Sequence, residues 1–284
     1  MRVQLFGVRG STPASGAEFL RHGGHTSCIG LSHDGAPPSL VLDAGTGVRR
    51  LAHALRGAAF LGTILLSHLH WDHLQGLPFF FPADHPDSRT TVLIPEQGDA
   101  EQVLARAMSP PHFPVRPSEL RGNWRFDGLP EGQAEIEGFS VLARDIPHSG
   151  GRTFGFRVSD GQAAIAYLSD HHPLGLGPGD DGLGVRHEAA LALADGVDLL
   201  VHDAQHLQRE FPAKAYLGHS TVEYAVALAK DANARKLLLY HHDPDRTDDE
   251  IDAIVAAVNG TASVVVEAAA EGAAIDLPAD GRSR

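Results

Sequence analysis

The segment Ser67-His68-Leu69-His70-Trp71-Asp72-His73 constrains this chain more than any other, because six consecutive residues supply four potential metal ligands. Residues 63–67, Thr-Ile-Leu-Leu-Ser, lie directly before it behind Gly62 and read as a short buried strand. The motif therefore falls where a strand runs out into a loop. Along extended backbone alternate side chains share a side, so His68, His70 and Asp72 are expected to converge. A turn at Asp72 into a helix-like run from His73 to Phe80 would swing His73 round to join them. Imidazoles and a carboxylate without thiolates suit zinc, manganese or iron(II), and the histidine count favours zinc.

Four ligands cannot close the shells of two ions, and three further candidates end other apolar runs. His148 follows Ile146-Pro147, Asp170 ends the run 164–170, and His241 ends the run 236–241. Singly, each reads equally well as a turn residue or a hydrogen-bonded cap. Together they are the natural completion of the first motif.

The rest of the chain bounds the answer. At 284 residues, 43% hydrophobic and 21% charged, it can bury a sizeable core as one large domain or two small ones. The start, Met1 to Gly7, reads as a short alternating strand rather than a signal peptide, and no apolar run reaches the length of a membrane span. Cys28 is the sole cysteine, so no internal disulfide can form; a small buried hydrophobe and a cytoplasmic home are the simplest readings. The net charge is −13 and the 23 Lys and Arg residues form no run, which argues against long nucleic acid as a partner. A small phosphorylated substrate stays open, since local charge decides that.

Strands are expected at 2–8, 27–32, 39–43, 92–95, 136–146, 153–159, 163–169, 197–202 and 236–240, with a strand pair around 262–276. Helices are expected after the turn Asp43-Ala44-Gly45-Thr46-Gly47 as far as Gly57, and at 99–108, 186–194, 220–230 and 248–258. Four prolines in residues 109–117 make that stretch a loop of the kind that often binds ligands, and the glycine-rich stretch 173–184 reads as a mobile loop. The order suggests two similar βα halves packed as one domain over residues 1–277, with a disordered polar tail at 278–284.

His-x-His-x-Asp-His behind a strand resembles the metallo-β-lactamase superfamily of metal-dependent hydrolases. Phe6-Gly7-Val8-Arg9-Gly10-Ser11-Thr12-Pro13, Gly23-Gly24-His25-Thr26-Ser27-Cys28, the Asp43 turn and His241-His242-Asp243-Pro244 are similar to a bacterial branch of it, across residues 2 to about 258. That branch is related to cyclic-nucleotide phosphodiesterases and tRNase Z-like enzymes. The resemblance implies an α/β fold, a four-layer αββα sandwich, holding two divalent metal ions, zinc foremost with manganese or iron as substitutes. It implies a first ion on His68, His70 and His148, a second on Asp72, His73 and His241, and Asp170 bridging them. His242 is a rival to His241, which is preferred because it comes directly after its strand. His219, in Gly218-His219-Ser220-Thr221, resembles the histidine of a His-x-Thr loop that serves as proton donor or phosphate contact. Asp203, in Val201-His202-Asp203, matches the residue that buttresses it; a helix cap and a plain turn are the bland readings of these two segments. His25 stands where the branch more often has asparagine and could add a phosphate contact.

Two divalent ions less Asp72, Asp170 and a bridging hydroxide leave the inner shell at about +1, which suits a phosphate monoanion. A metal pair roughly 3.5–4 Å apart can hold an attacking hydroxide and steady a leaving oxygen. The function implied is a dinuclear metal-dependent hydrolase, foremost a phosphodiesterase cleaving small phosphodiesters such as cyclic nucleotides. Asp72 would orient the hydroxide and His219 protonate the leaving group. A base could stack on Trp71 or on Phe113 of the proline-rich loop. A tRNA 3′-end endonuclease of the tRNase Z type fits the motifs, but the acidic surface and the lack of a basic, glycine-rich arm oppose it. Class B β-lactamases, which are exported and often use a cysteine ligand, fit poorly, as do flavodiiron-type reductases, which carry glutamate where His70 stands. A non-catalytic metal-binding sensor is the reading from another class. The partners expected are a small phosphodiester and a second copy of the chain in a homodimer, with no membrane and no long nucleic acid.

Overall fold

The computed structural model describes residues 1–278 except 261 and 263. The polar tail expected at 278–284 lies, from residue 279 on, outside the described residues. Seven strands precede residue 137: β1 (Arg2–Gly7), β2 (Cys28–Ser32), β3 (Leu40–Leu42), β4 (Leu61–Leu65), β5 (Arg89–Pro95), β6 (Trp124–Leu129) and β7 (Gly132–Ile136). Seven follow: β8 (Phe139–Asp145), β9 (Phe154–Ser159), β10 (Ala164–Leu168), β11 (Leu199–Asp203), β12 (Lys236–Tyr240), β13 (Val265–Ala268) and β14 (Ala274–Asp276). Between them run α1 (Val48–Ala54), α2 (Trp71–Leu74), α3 (Ala100–Ala105), α4 (Glu188–Ala194), α5 (Phe211–Lys214), α6 (Val222–Asp231) and α7 (Asp248–Asn259).

The strands make two seven-stranded sheets, ordered β14-β1-β2-β3-β4-β5-β6 and β13-β12-β11-β10-β9-β8-β7. Side-chain alternation decides how they stack. Val3, Leu5, Ile29, Leu31 and Leu65 of the first sheet meet Phe154, Phe156, Ile165, Tyr167, Val201 and Tyr240 of the second in one buried cluster. Their neighbours in sequence face outward. Cys28, Ile64 and Val92 pack on Val48, Leu51 and Leu104 from α1 and α3, and Ala166, Leu168, Leu200 and Leu237 pack on Leu193, Tyr224 and Leu228 from α4 and α6. The layers are therefore helix, sheet, sheet, helix. Each fully buried aliphatic or aromatic side chain contributes about 1.5–3 kcal/mol to that stacking.

Four expectations are corrected. The residues read as a terminal strand pair do not pair with each other: β13 adds parallel to β12, whereas β14 crosses to the other sheet and pairs with β1. The run read as one strand over 136–146 begins on the last residue of β7 and continues as β8, the two forming a hairpin turned at Glu137 and Gly138, whose φ angles of 50° and 78° suit a tight two-residue turn. Strand β6 has no counterpart in the reading above, because Asp127 and Gly128 break its apolar pattern. Helix α2 starts at Trp71, two residues before the expected run, and a separate 3-10 turn covers Leu77–Phe79.

Strands β10, β11 and β12 are parallel, and β8 runs the same way because both it and β10 are antiparallel to β9. Their C-terminal ends open on one edge of the sandwich. The end of β4 joins them there, where Phe154 N–H donates to the Ser67 carbonyl at 2.8 Å. Loops leaving five strand ends thus meet at one place.

Candidate metal centre

The loop after β4 divides its ligand candidates between two groups. His68 and His70 leave on extended backbone and lie with His148 and Asp170, their ligand-type atoms all within 4.8 Å of one another. The chain then coils into α2, so Asp72 turns away and joins His73 and His241 in a second group of the same tightness. The expected convergence of His68, His70 and Asp72 on one side is corrected accordingly, because helical backbone ends the two-residue alternation at Trp71.

Asp170 lies between the groups. Its Oδ2 faces His148 Nε2 at 3.6 Å and His68 Nε2 at 3.8 Å, and its Oδ1 faces His73 Nε2 at 3.0 Å and His241 Nε2 at 3.4 Å. Asp72 Oδ2 lies 3.2 Å from His73 Nε2 and 3.1 Å from His241 Nε2, and accepts the Ser11 N–H at 2.8 Å. His241 reaches this position because it adopts φ 56°, a conformation that non-glycine residues rarely take and that here turns the ring back from the end of β12. Gly10 makes room for that ring, since a Cβ there would lie 2.4 Å from His241 Nδ1.

Hydrogen bonds behind the rings fix which nitrogen faces inward. His148 Nδ1 donates to the Gly218 carbonyl at 2.7 Å, and His73 Nδ1 donates to Asp43 Oδ2 at 2.8 Å. His68 Nδ1 lies 3.0 Å from Ser67 Oγ. Each of these three rings thereby presents Nε2 to the cluster. Asp43, fully buried at φ 60°, also accepts from Ser67 N–H, Ser67 Oγ and Tyr167 Oη. Sequence reasoning identified the Asp43 turn but not this role; a carboxylate directly after an apolar strand was the available signal. Tyr167 carried no such signal, because its part depends on a contact across the sandwich, and Ser11 acts through a backbone N–H that its identity does not announce.

Burial and the facing charges compete in the electrostatics, and burial prevails at three of the histidines. It holds the His68 and His70 imidazoles below their usual range and brings His148 down to about 4, so these rings are neutral lone-pair donors. Burial alone would raise Asp170 and Asp72, yet the surrounding histidines hold both carboxyls well below the ordinary range. His73 goes the other way: burial opposes its proton, but Asp72, Asp170 and Asp43 raise it.

The donor set fits divalent cations. Among the described residues His68 Nε2, His73 Nε2, Asp170 Oδ1 and His241 Nδ1 are buried without a hydrogen-bond partner, a costly state for polar atoms that a bound cation relieves for the inward-facing ones. His219 sits beside this set, its Nδ1 3.0 Å from Asp203 Oδ2 and 3.6 Å from Asp170 Oδ2, and its ring stacked on His241 at 4.9 Å. Asp203 is held by the N–H groups of His171, Gln205 and Ser220. An open cavity of about 350 Å³ lies above, lined by Ser11, Leu69, His70, Trp71, Asp72, Asp170 and His219.

Other candidates lie elsewhere. His242 points away, its Nε2 on the Ala269 carbonyl at 3.0 Å. His25 lies on Thr46 Oγ1 at 3.2 Å and does not line the cavity. Phe113 packs edge-on against Phe79 and does not line it either, whereas Trp71 does and is 75% exposed.

Known proteins match this chain throughout its length. The beta-lactamase superfamily domain matches residues 39–242. Ribonuclease BN of Salmonella paratyphi C is 30% identical over 250 residues, covering 74% of this chain and 80% of its own. A diphosphatase from the PhnP family superposes with TM-score 0.70 at 18% identity, covering 97% of each chain. The short form of human tRNase Z superposes with TM-score 0.68 at 20% identity, covering 98% of this chain and all of its own. The expectation against long nucleic acid is not borne out by such relatives. A charge of −13 sums over surface that never meets a substrate, whereas the field at the cavity is set locally. None of the described helices is long and apolar enough to cross a membrane. This fold generally holds two divalent metal ions, and the clustered His and Asp side chains of this chain could hold metal. Fold, matched domain and donor chemistry agree: the chain belongs to the beta-lactamase superfamily domain family and is a metal-dependent hydrolase.

Proposed function

We propose that residues 1–277 act as one hydrolase domain that cleaves phosphodiesters, with small diesters such as cyclic nucleotides as the leading substrates. The observation that carries this reading is Asp170, whose two oxygens face separate histidine groups. A carboxylate shared in this way suits a cation pair. In this reading His68, His70 and His148 hold one ion, Asp72, His73 and His241 hold the other, and Asp170 touches both. Zinc suits five imidazoles and two carboxylates best, with manganese or iron as substitutes. When bound, such a pair supplies a hydroxide at neutral pH and positive charge against the developing negative charge of the phosphate.

The chain's own residues do the remainder. Ser11 N–H holds Asp72 Oδ2 in place beside the ring nitrogens of His73 and His241. Asp203 takes Nδ1 of His219 and so leaves its Nε2 to deliver a proton to the leaving oxygen. Ser11, Asp72 and His219 line the cavity together, which keeps proton donor and phosphate within one small volume. A second reading, cleavage at the 3′ end of tRNA, is favoured by relatives named ribonuclease Z and ribonuclease BN.

Hydrolysis of bis(p-nitrophenyl) phosphate with added zinc or manganese, compared with a chelated control, tests the diesterase reading. No rate above the control would sink it. Side-by-side turnover of a cyclic nucleotide and a precursor tRNA at physiological salt then separates the two substrates; cleavage of the tRNA alone would select the second reading.

A further inference from the structure

A second cavity, also about 350 Å³, opens beside the one above the metal centre. Leu69, His70 and Trp71 line both, so a molecule held at the cluster can extend past His70 without leaving the protein. The walls of this second lobe are largely apolar: Leu69 from the loop after β4, Trp71 and Leu74 from α2, and Val103, Leu104 and Ala107 from α3 and the turn after it. Its volume is at the lower end of small-molecule sites, about 300–1,000 Å³, which suits one ring system and not a folded nucleic acid.

Two arginines reach the lobe, and they differ. Arg152 is occupied: it pairs with Asp145 at 2.7 Å and donates to the Glu96 carbonyl at 2.8 Å. Arg106 is exposed and has no carboxylate partner among the described residues. His112 brings the proline-rich loop to the same rim, a place the sequence reading gave to Phe113. An apolar slot, an exposed indole and an unpaired guanidinium can together hold a flat ring that carries hydrogen-bond acceptors, since guanidinium both stacks and donates in a plane.

We infer that this lobe is the binding site for the nucleobase of a nucleotide-type substrate, with Arg106 as the residue that reads it. The inference rests on the phosphodiester reading for the position of the phosphate, and it adds the chemical class of the group beside it. The phosphate sits at the metal centre, the sugar passes His70 and Trp71, and the base enters between Leu69 and α3.

The test is calorimetric binding to the metal-loaded protein, with adenosine 5′-monophosphate, ribose 5-phosphate and inorganic pyrophosphate as probes. The base is expected to tighten binding about five- to a hundredfold over ribose 5-phosphate, the range of one stacked base. Arg106→Ala, at an exposed position, and Val103→Phe, which fills the slot, should each erase most of that preference while leaving ribose 5-phosphate affinity within about twofold. Equal affinity of the two sugar phosphates for the wild type would overturn the inference. So would an unchanged preference in both variants, or a loss of pyrophosphate affinity in Arg106→Ala as large as that of the nucleotide, which would give the lobe to a second anion. Failure of the diesterase reading is seen separately, as a preserved base preference with no diester turned over.

Discussion

Asp43 faces the cluster from behind, and replacing it by asparagine separates the support of a ligand from the ligand itself. Its Oδ1 accepts the Ser67 N–H at 2.7 Å. Its Oδ2 accepts Ser67 Oγ at 2.9 Å and Tyr167 Oη at 2.7 Å, and faces His73 Nδ1 at 2.8 Å. An amide offers one oxygen. If that oxygen stays on His73, the amide NH₂ confronts the Ser67 N–H, and one buried donor goes unmet at a cost of about 1–3 kcal/mol. The melting temperature should then fall by about 2–4 °C per kcal/mol. A neutral oxygen also makes His73 a weaker donor than a carboxylate does, and loss of such support costs about 10–100-fold in metal affinity, or about 1.4–2.8 kcal/mol. Titration of metal-free protein with zinc against a chromophoric chelator reads this directly. Tyr167→Phe is the control, since it removes one donor to Asp43 but leaves the carboxylate on His73. One of two binding events should weaken in Asp43→Asn, with both unchanged within about threefold in Tyr167→Phe. Wild-type zinc affinity in Asp43→Asn would refute the reasoning, and equal losses in the two variants would trace the effect to packing instead.

Three further outcomes are expected. His219→Ala should lower turnover of a phosphodiester by about 10²–10⁴-fold with metal content unchanged, measured as kcat beside metal analysis; loss of an ion would make His219 a ligand. Tyr240→Phe strips the Gly7 carbonyl and the Cys28 N–H of a buried hydroxyl at 2.7 and 3.1 Å and should cost about 1–3 kcal/mol in denaturant unfolding, with no cost arguing that water replaces it. Burial pushes the Glu271 carboxyl up to about 7, against the lowering pull of the His25 N–H, Arg50 and Arg9. Its folded value thus lies above the ordinary 4.5, so the stability it supports is present below about pH 4.5 and lost as pH rises through 7. Glu271→Gln should accordingly be more stable than wild type by about 1–2 kcal/mol at pH 8, with the gap closing by pH 4, and a pH-independent difference would contradict the sign.

The four-layer stacking was expected from the family resemblance, and the residues agree with it locally: Leu5 against Phe6, or Ile165 against Ala166, places adjacent side chains on opposite faces of a strand. Strand partners were not legible, since β13 and β14 differ in which sheet they join and their short apolar runs look alike. At the site, dense histidine and aspartate at strand ends pointed to the seven side chains that the structure gathers into two close groups, while a third such group joins Asp170 and His241 to His219. Their division came from the family resemblance and not from residue spacing, because it depends on α2 starting at Trp71 and on His241 adopting a left-handed backbone that no neighbouring residue announces. Asp203 was expected behind His219 and lies there, whereas other supports left no signal. Gly218 orients His148 through a carbonyl, and carbonyls leave no trace in residue identity.

A single measurement bears most directly on the paired centre: the number and position of metal ions per chain, by elemental analysis together with anomalous diffraction at the zinc edge. Two ions per chain are expected, one bonded to His68, His70 and His148, the other to Asp72, His73 and His241, and both to Asp170. One ion alone, or a second bound away from Asp170, would contradict it.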